Sequence, residues 1–171
     1  MTDRSQLVAR LEAAVSGRAG ARDALDLAHW DHATWETLLA PAEVISLGNG
    51  DILIQRDEAG RDLFFVVDGA LEVSVPQMMS LSTAPGLRVE AGSIVGEVAF
   101  FDDHRRTASV WSRGPSTLFR LPHEGFEAFR QSNPERSCDL IYAIARILAW
   151  RLRCAQGTQD ERAAPRRMRL F

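Results

Sequence analysis

Gly50–Val73 reads GDILIQRDEAGRDLFFVVDGALEV. Within it ILI, LFFVV and ALEV are short runs rich in β-branched and aromatic residues, and turn chemistry separates them. The first gap holds charged residues and Gly60, the second only Asp68-Gly69. Such runs are too short for helices, and a polar break every ~8–12 residues is the rhythm of an antiparallel sandwich or barrel, not of alternating βαβ units. Asp68-Gly69, between FFVV and ALEV, predicts a tight hairpin.

Working outward, the same rhythm continues. VISL precedes the segment, and GLRV, SIV, TASVW and STLFRL follow it as far as Leu121, with Gly48, Gly86, Gly92, Gly96 and Gly114 among the breaks. The expected fold class is therefore mainly β with flanking α, an antiparallel eight-stranded β-roll or jelly-roll barrel. Leu7, Val8, Leu11, Ala14 and Val15 recur at helical spacing and end at SGRAG, 16–20. Leu25, Leu27, Ala28, Trp30, Trp35, Leu38 and Leu39 predict a second helical stretch that stops at Pro41. Past Pro122 the helical period returns over 124–131 and, after Asn133-Pro134, over about 135–155. The expected organisation is an N-terminal helical segment over 1–40, a β-barrel over 41–122, C-terminal helices packing on it over 123–156, and a basic flexible tail over 157–171.

Composition narrows the function classes. The chain has 171 residues, 46% hydrophobic and 25% charged, which suits one ordinary globular domain. Its net charge is −3 and all 20 basic residues are arginine, spread along the chain except in RAAPRRMRLF, 162–171, so direct nucleic-acid binding is not expected. Cys138 and Cys154 have no Cys or His neighbours at metal-ligand spacing, which fits a reduced, cytoplasmic protein and no metal. No stretch has the ~18 apolar residues of a membrane span and the N-terminus has no signal core, so neither membrane nor secretion is expected.

Val95–Val110, VGEVAFFDDHRRTASV, carries the chemistry. If a strand ends at Val95, Gly96 permits a tight turn and Glu97-Val98-Ala99-Phe100-Phe101 forms a helical turn whose first N–H groups lack partners. Arg106, returning on the next strand, places a planar bidentate donor opposite them, an arrangement that suits phosphate. A carboxylate beside a phosphate pocket is electrostatically awkward unless it has a task, and accepting from a sugar hydroxyl is a natural one.

These residues resemble the cyclic-nucleotide-binding domains of catabolite-activator-type regulators, cyclic-nucleotide-dependent kinases and nucleotide-gated channels. Their phosphate-binding cassette runs F-G-E-hydrophobic-A-hydrophobic, a short loop, then P-R-small-A. Here Gly96-Glu97-Val98-Ala99-Phe100 and Arg106-Thr107-Ala108 match it, with Val95 in place of the aromatic and Arg105 in place of the proline. The 50–73 segment is similar to the family's second signature, including its glycine at Gly69, and Gly92 lies just ahead of the cassette. The resemblance covers about 38–153. It implies that Glu97 holds the ribose 2′-hydroxyl, that Arg106 holds the cyclic phosphate, and that the amides near Val98 and Ala108 take the remaining phosphate oxygens. Thr107 can offer a hydroxyl to a purine amino group, and the resemblance implies cAMP or cGMP as the ligand.

Other residues leave alternatives open. Arg151 on the last helix falls where relatives close over the base and can pair with guanine, or it is a solvated helix arginine. Trp150 can cap a base, though packing is the commoner use of tryptophan. Arg105 is a surface residue facing Asp102 or Asp103, or a second phosphate ligand, and His104 faces water. PQMMSLSTAP, 76–85, replaces a charged hairpin and predicts an irregular strand pair or a partner contact. On the last helix Leu140, Ile144, Ile147 and Arg151 form one stripe and Ile141, Ala145, Leu148 and Leu152 the next, which invites a second copy of the same helix.

The function expected is a non-enzymatic cyclic mononucleotide sensor that signals through its C-terminal helix to a homodimer partner or an effector protein. No catalytic triad, paired carboxylates, P-loop or haem ligand set argues for an enzyme or a cofactor. About sixteen residues after the last helix leave no room for a helix-turn-helix. The alternative is a degenerate version of the fold, used as an interaction or oligomerisation module without ligand.

Overall fold

The computed structural model describes residues 3–74 and 86–163, with side chains as far as Ala155. The expectations for 76–85 and for the basic residues 164–171 lie outside the described residues. In chain order the elements are α1 (Arg4–Gly17), α2 (His32–Leu39), β1 (Glu43–Leu47), β2 (Ile52–Ile54), β3 (Leu63–Asp68), β4 (Ala70–Ser74), β5 (Leu87–Glu90), β6 (Ile94–Val95), α3 (Glu97–Asp102), β7 (Ser109–Ser112), β8 (Ser116–Leu121), α4 (His123–Ser132) and α5 (Pro134–Ala163).

All eight expected strands form, and the pairs between them are antiparallel. They do not close into a barrel. They make two four-stranded sheets, β1-β8-β3-β6 and β2-β7-β4-β5. The edge strands β2 and β6 are only three and two residues long, too short to carry pairing from one sheet to the other.

The sandwich interior is filled by Ile54, Phe64, Val66, Leu71, Val89, Val95, Val110 and Leu118. Alternate residues of β3, Leu63, Phe65 and Val67, point the other way and join Phe119 and Leu121 in a second core against the helices. LFFVV is apolar throughout because β3 is buried on both faces. Each of these large side chains contributes about 1.5–3 kcal/mol on burial.

Asp68-Gly69 is not a hairpin. β3 and β4 belong to different sheets, and the chain crosses between them at Gly69, where φ is 82°. A Cβ there would lie 2.5 Å from the Pro115 carbonyl oxygen, so the corner needs both the left-handed conformation and the missing side chain. The second helix is also shorter than its hydrophobic period predicts. Asp31 caps α2 by accepting from the Thr34 N–H at 2.9 Å, and Leu25, Leu27 and Trp30 reach the core from an irregular segment ahead of the cap.

α5 outruns its expected end at Ala155 and continues to Ala163, so the flexible tail expected from 157 begins as helix. Leu140, Ala143, Ile144 and Ile147 are buried against the helical core, whereas Ile141, Tyr142 and Leu152 are exposed. The 20–31 segment ties down the first half of α5. Trp30 Nε1 donates to Asp139 at 3.2 Å, and Arg146 pairs with Asp26. Among the described residues no helix is long and apolar enough to cross a membrane, and no three His, Cys, Asp or Glu side chains could together hold a metal ion.

Candidate functional site

β3 places the site. Its residues Phe64 and Phe65 pair with Val95 and Ile94 of β6, so the segment after Val95 emerges beside the loop that feeds β3. Gly96 turns the chain at φ 88°, and a Cβ on it would meet Arg106 Nη1 and the Asp62 carbonyl oxygen, each at 2.8 Å. α3 then makes a single short helix that ends at Asp103, itself left-handed at φ 58°. No side chain caps its first amides.

The returning chain is pinned by two backbone bonds, Asp57 N–H to the Arg106 carbonyl and Arg106 N–H to the Glu58 carbonyl, both 2.9 Å. They fix the Arg106 side chain inward, where it is 4% exposed. Nη1 donates to the Asp62 carbonyl at 3.0 Å and to the Gly96 carbonyl at 3.1 Å, and the guanidinium carbon lies 5.6 Å from the Phe64 ring centre. Nε is buried without a partner. Burial pushes the Arg106 pKa below its ordinary value, while Asp62, Glu58 and Glu97 push it back up. The result is a desolvated cation with a donor left over, and an anion would satisfy it.

Glu97, one residue past the Gly96 carbonyl that Arg106 holds, is 6% exposed. Glu97 and Arg106 are thus buried in one cradle around Gly96. Ala99 is buried, Val98 and Ala108 half-buried and Thr107 exposed. Glu97 has a partner of its own. Arg151 of α5 donates from Nη1 to Glu97 Oε1 at 2.5 Å and from Nη2 to the Ile94 carbonyl at 2.7 Å. Arg151 is therefore not a solvated helix arginine, and in this structure its guanidinium is engaged by the acid. Trp150 beside it is half-buried.

The remaining loop residues are plainer. Arg105 is exposed and donates to the Asp57 carbonyl at 2.7 Å, not to Asp102 or Asp103, and His104 is exposed. A separate shallow cleft of about 470 Å³, lined by Arg18, Arg88, Arg113 and neighbours, shares no residue with the cradle. Its arginines are paired with Asp23, Glu90 and Glu72.

Sequence reasoning missed Asp62. Its carbonyl receives Arg106 while Arg120 holds its carboxylate, with Nε at 3.0 Å. It also missed Gly60, where a Cβ would sit 3.3 Å from Arg106 Nη2. The available signal was GRD immediately ahead of LFFVV, a glycine with a charged pair where the chain enters a doubly buried strand.

Over 112 residues the chain is 34% identical to glutaminase 1 of Bradyrhizobium diazoefficiens, covering 66% of this chain and 17% of that protein. It is 28% identical over 131 residues to the Pycsar effector protein BcPycTIR of Burkholderia cepacia, covering 76% of this chain and 39% of that protein. The chain thus spans well under half the length of these relatives. Among solved structures, a cyclic nucleotide-binding domain from Methylobacillus flagellatus superposes with a TM-score of 0.76 at 14% identity, covering 96% of this chain and 88% of that one. The family model described as "Cyclic nucleotide-binding domain" matches residues 44–133, more than half of the sequence. With the cradle formed by Gly96, Glu97 and Arg106 inside that span, the chain belongs to the cyclic nucleotide-binding domain family.

Proposed function

We propose that the chain is a non-enzymatic sensor of a cyclic mononucleotide, cAMP or cGMP. Glu97 accepts the ribose 2′-hydroxyl and Arg106 donates to the cyclic phosphate. The amides of Val98, Ala99 and Ala108 take further phosphate oxygens, and Thr107 and Trp150 lie toward the base. The observation that carries this reading is the burial of Glu97 and Arg106 together around Gly96, with Arg106 Nε left without an acceptor. Arg106 spends its Nη1 on two main-chain carbonyls and leaves the buried Nε for an acceptor such as a phosphate oxygen.

Occupancy is read out through α5, whose residue Arg151 touches the sugar acid. The reader is a second copy of the chain or an effector protein meeting the exposed side of that helix. The unit consists of the 41–122 β-sandwich with the 1–40 and 123–156 helices as its moving and anchoring parts.

Isothermal titration with cAMP, cGMP and cyclic pyrimidine mononucleotides tests the reading. Wild type should bind at least one of them, and Arg106→Ala should bind it more weakly by about 1.5–3 kcal/mol, the range for hydrogen bonds to charged groups. Equal affinity in the variant removes the phosphate assignment. No heat with any nucleotide, at unchanged melting temperature, leaves the fold as an interaction scaffold.

A further inference from the structure

Arg106 is aimed by two main-chain carbonyls, and they are held in different ways. The Gly96 carbonyl also accepts the Phe100 N–H at 3.2 Å, so the first turn of α3 fixes it. The Asp62 carbonyl lies one residue ahead of β3, whose ladder with β8 begins at Leu63. Its anchor is the Asp62 side chain. Arg120 of β8 places both Nε and Nη2 3.0 Å from Asp62 Oδ2, and its Nη1 lies 3.4 Å from Glu43 Oε2 on β1. A planar fork that closes on one oxygen from two nitrogens fixes direction as well as distance.

The sheet register puts this arginine beside the other support of Arg106. Arg120 is paired with Phe64 across β8 and β3, and directly opposed residues share a face of the sheet. Phe64 is the ring over which the Arg106 guanidinium lies at 5.6 Å. The charge of Arg120 does not help Arg106. Burial is the largest influence lowering the Arg106 pKa and the Arg120 cation adds to it, whereas Asp62 is the largest influence raising it. What Arg120 contributes is the placement of Asp62.

We propose that Arg120 is a positioning residue for the anion site: by holding the Asp62 carboxylate from β8, it fixes the Asp62 carbonyl and so the direction in which Arg106 presents its Nε. The proposal deepens the functional reading above and rests on it for the ligand. It extends the site to a strand outside the cassette, through an aspartate that takes one arginine with its side chain and another with its main chain.

Charge and geometry give opposite signs at Asp62. Asp62→Ala removes a negative charge, which by Coulomb attraction alone would tighten binding of an anion. Through lost positioning it weakens that binding. In titration calorimetry with cAMP and cGMP, Asp62→Ala and Arg120→Gln should each raise the dissociation constant about fivefold or more, as when the competent direction is populated about a fifth of the time. Because both changes cut one contact, the double variant should bind about as weakly as the weaker single variant. Unchanged or tighter binding by Asp62→Ala overturns the proposal, and so does full additivity in the double variant. The two side chains are 42% and 21% exposed for Arg120 and Asp62, so neither change opens a cavity in the core.

The buried Nε of Arg106 supplies a readout that needs no nucleotide. Its N–H resonance, identified by its loss in Arg106→Ala, should show a lower order parameter in both single variants than in wild type, and equal values overturn the proposal. If wild type binds neither cAMP nor cGMP, the functional reading fails, and the order parameters alone decide whether Arg120 steadies Arg106.

Discussion

Glu97 and Arg106 are nine positions apart, and a single glycine makes them one site. At Gly96 any side chain would press on Arg106 Nη1 and the Asp62 carbonyl, so the cradle is built from backbone as much as from side chains. The division of labour between the two charged residues separates their variants. Where Arg106→Ala weakens all ligands, Glu97→Ala should abolish discrimination between a ribonucleotide and its 2′-deoxy form, bringing their affinities together in parallel titrations. A variant that still prefers the ribonucleotide would place the sugar elsewhere. The glycine, the acid and the arginine were legible in sequence because they follow each other along the chain at fixed spacing. Asp62 was not, since its role is played by a main-chain carbonyl that any residue possesses.

α1 and α2 hold each other through a histidine. His32 Nδ1 donates to Glu12 Oε2 at 3.1 Å and Nε2 stands 3.3 Å from Glu36 Oε1, and the hydrogen bond to Glu12, reinforced by Glu36, raises its pKa above the ordinary 6.5. The stabilisation is present in full below about 6.5 and is lost as pH climbs through the raised folded value. The melting-temperature advantage of wild type over His32→Asn should therefore shrink as pH rises above about 6.5, and a constant difference would mean the imidazole only packs. Among the elements, the strands were readable because each short apolar run carries its own breaks. Asp68-Gly69 misled because hairpin chemistry and a sheet-to-sheet corner ask for the same left-handed glycine. What distinguishes them is the Pro115 carbonyl packed against Gly69, which no local pattern reports.

Across the whole molecule, α5 shows two kinds of surface. The inner stripe of Leu140, Ile144 and Ile147 is fully covered, while Ile141 at 36%, Leu152 at 59% and their neighbour Tyr142 at 70% exposure are open to solvent. If a second copy covers them, sedimentation of wild type should give a dimer and the double variant Ile141→Glu, Leu152→Glu a monomer. A monomeric wild type would assign the face to an effector instead. Both stripes were visible in the sequence as a helical period. The partner of Arg151 was not, because it depends on where a helix formed late in the chain crosses a cassette formed early.

The Asp26–Arg146 and Trp30–Asp139 bonds give that crossing a mechanical meaning. They hold the first half of α5, so whatever happens at Arg151 acts on the arm beyond them that runs to Ala163. At 1.5 Å of rise per residue that arm is about 25 Å long, and a tilt of roughly ten degrees about the pin sweeps its tip through about 4 Å. A displacement smaller than one hydrogen bond at the pocket thus arrives at the end of the lever as a movement wide enough to break or make a contact with a neighbouring protein.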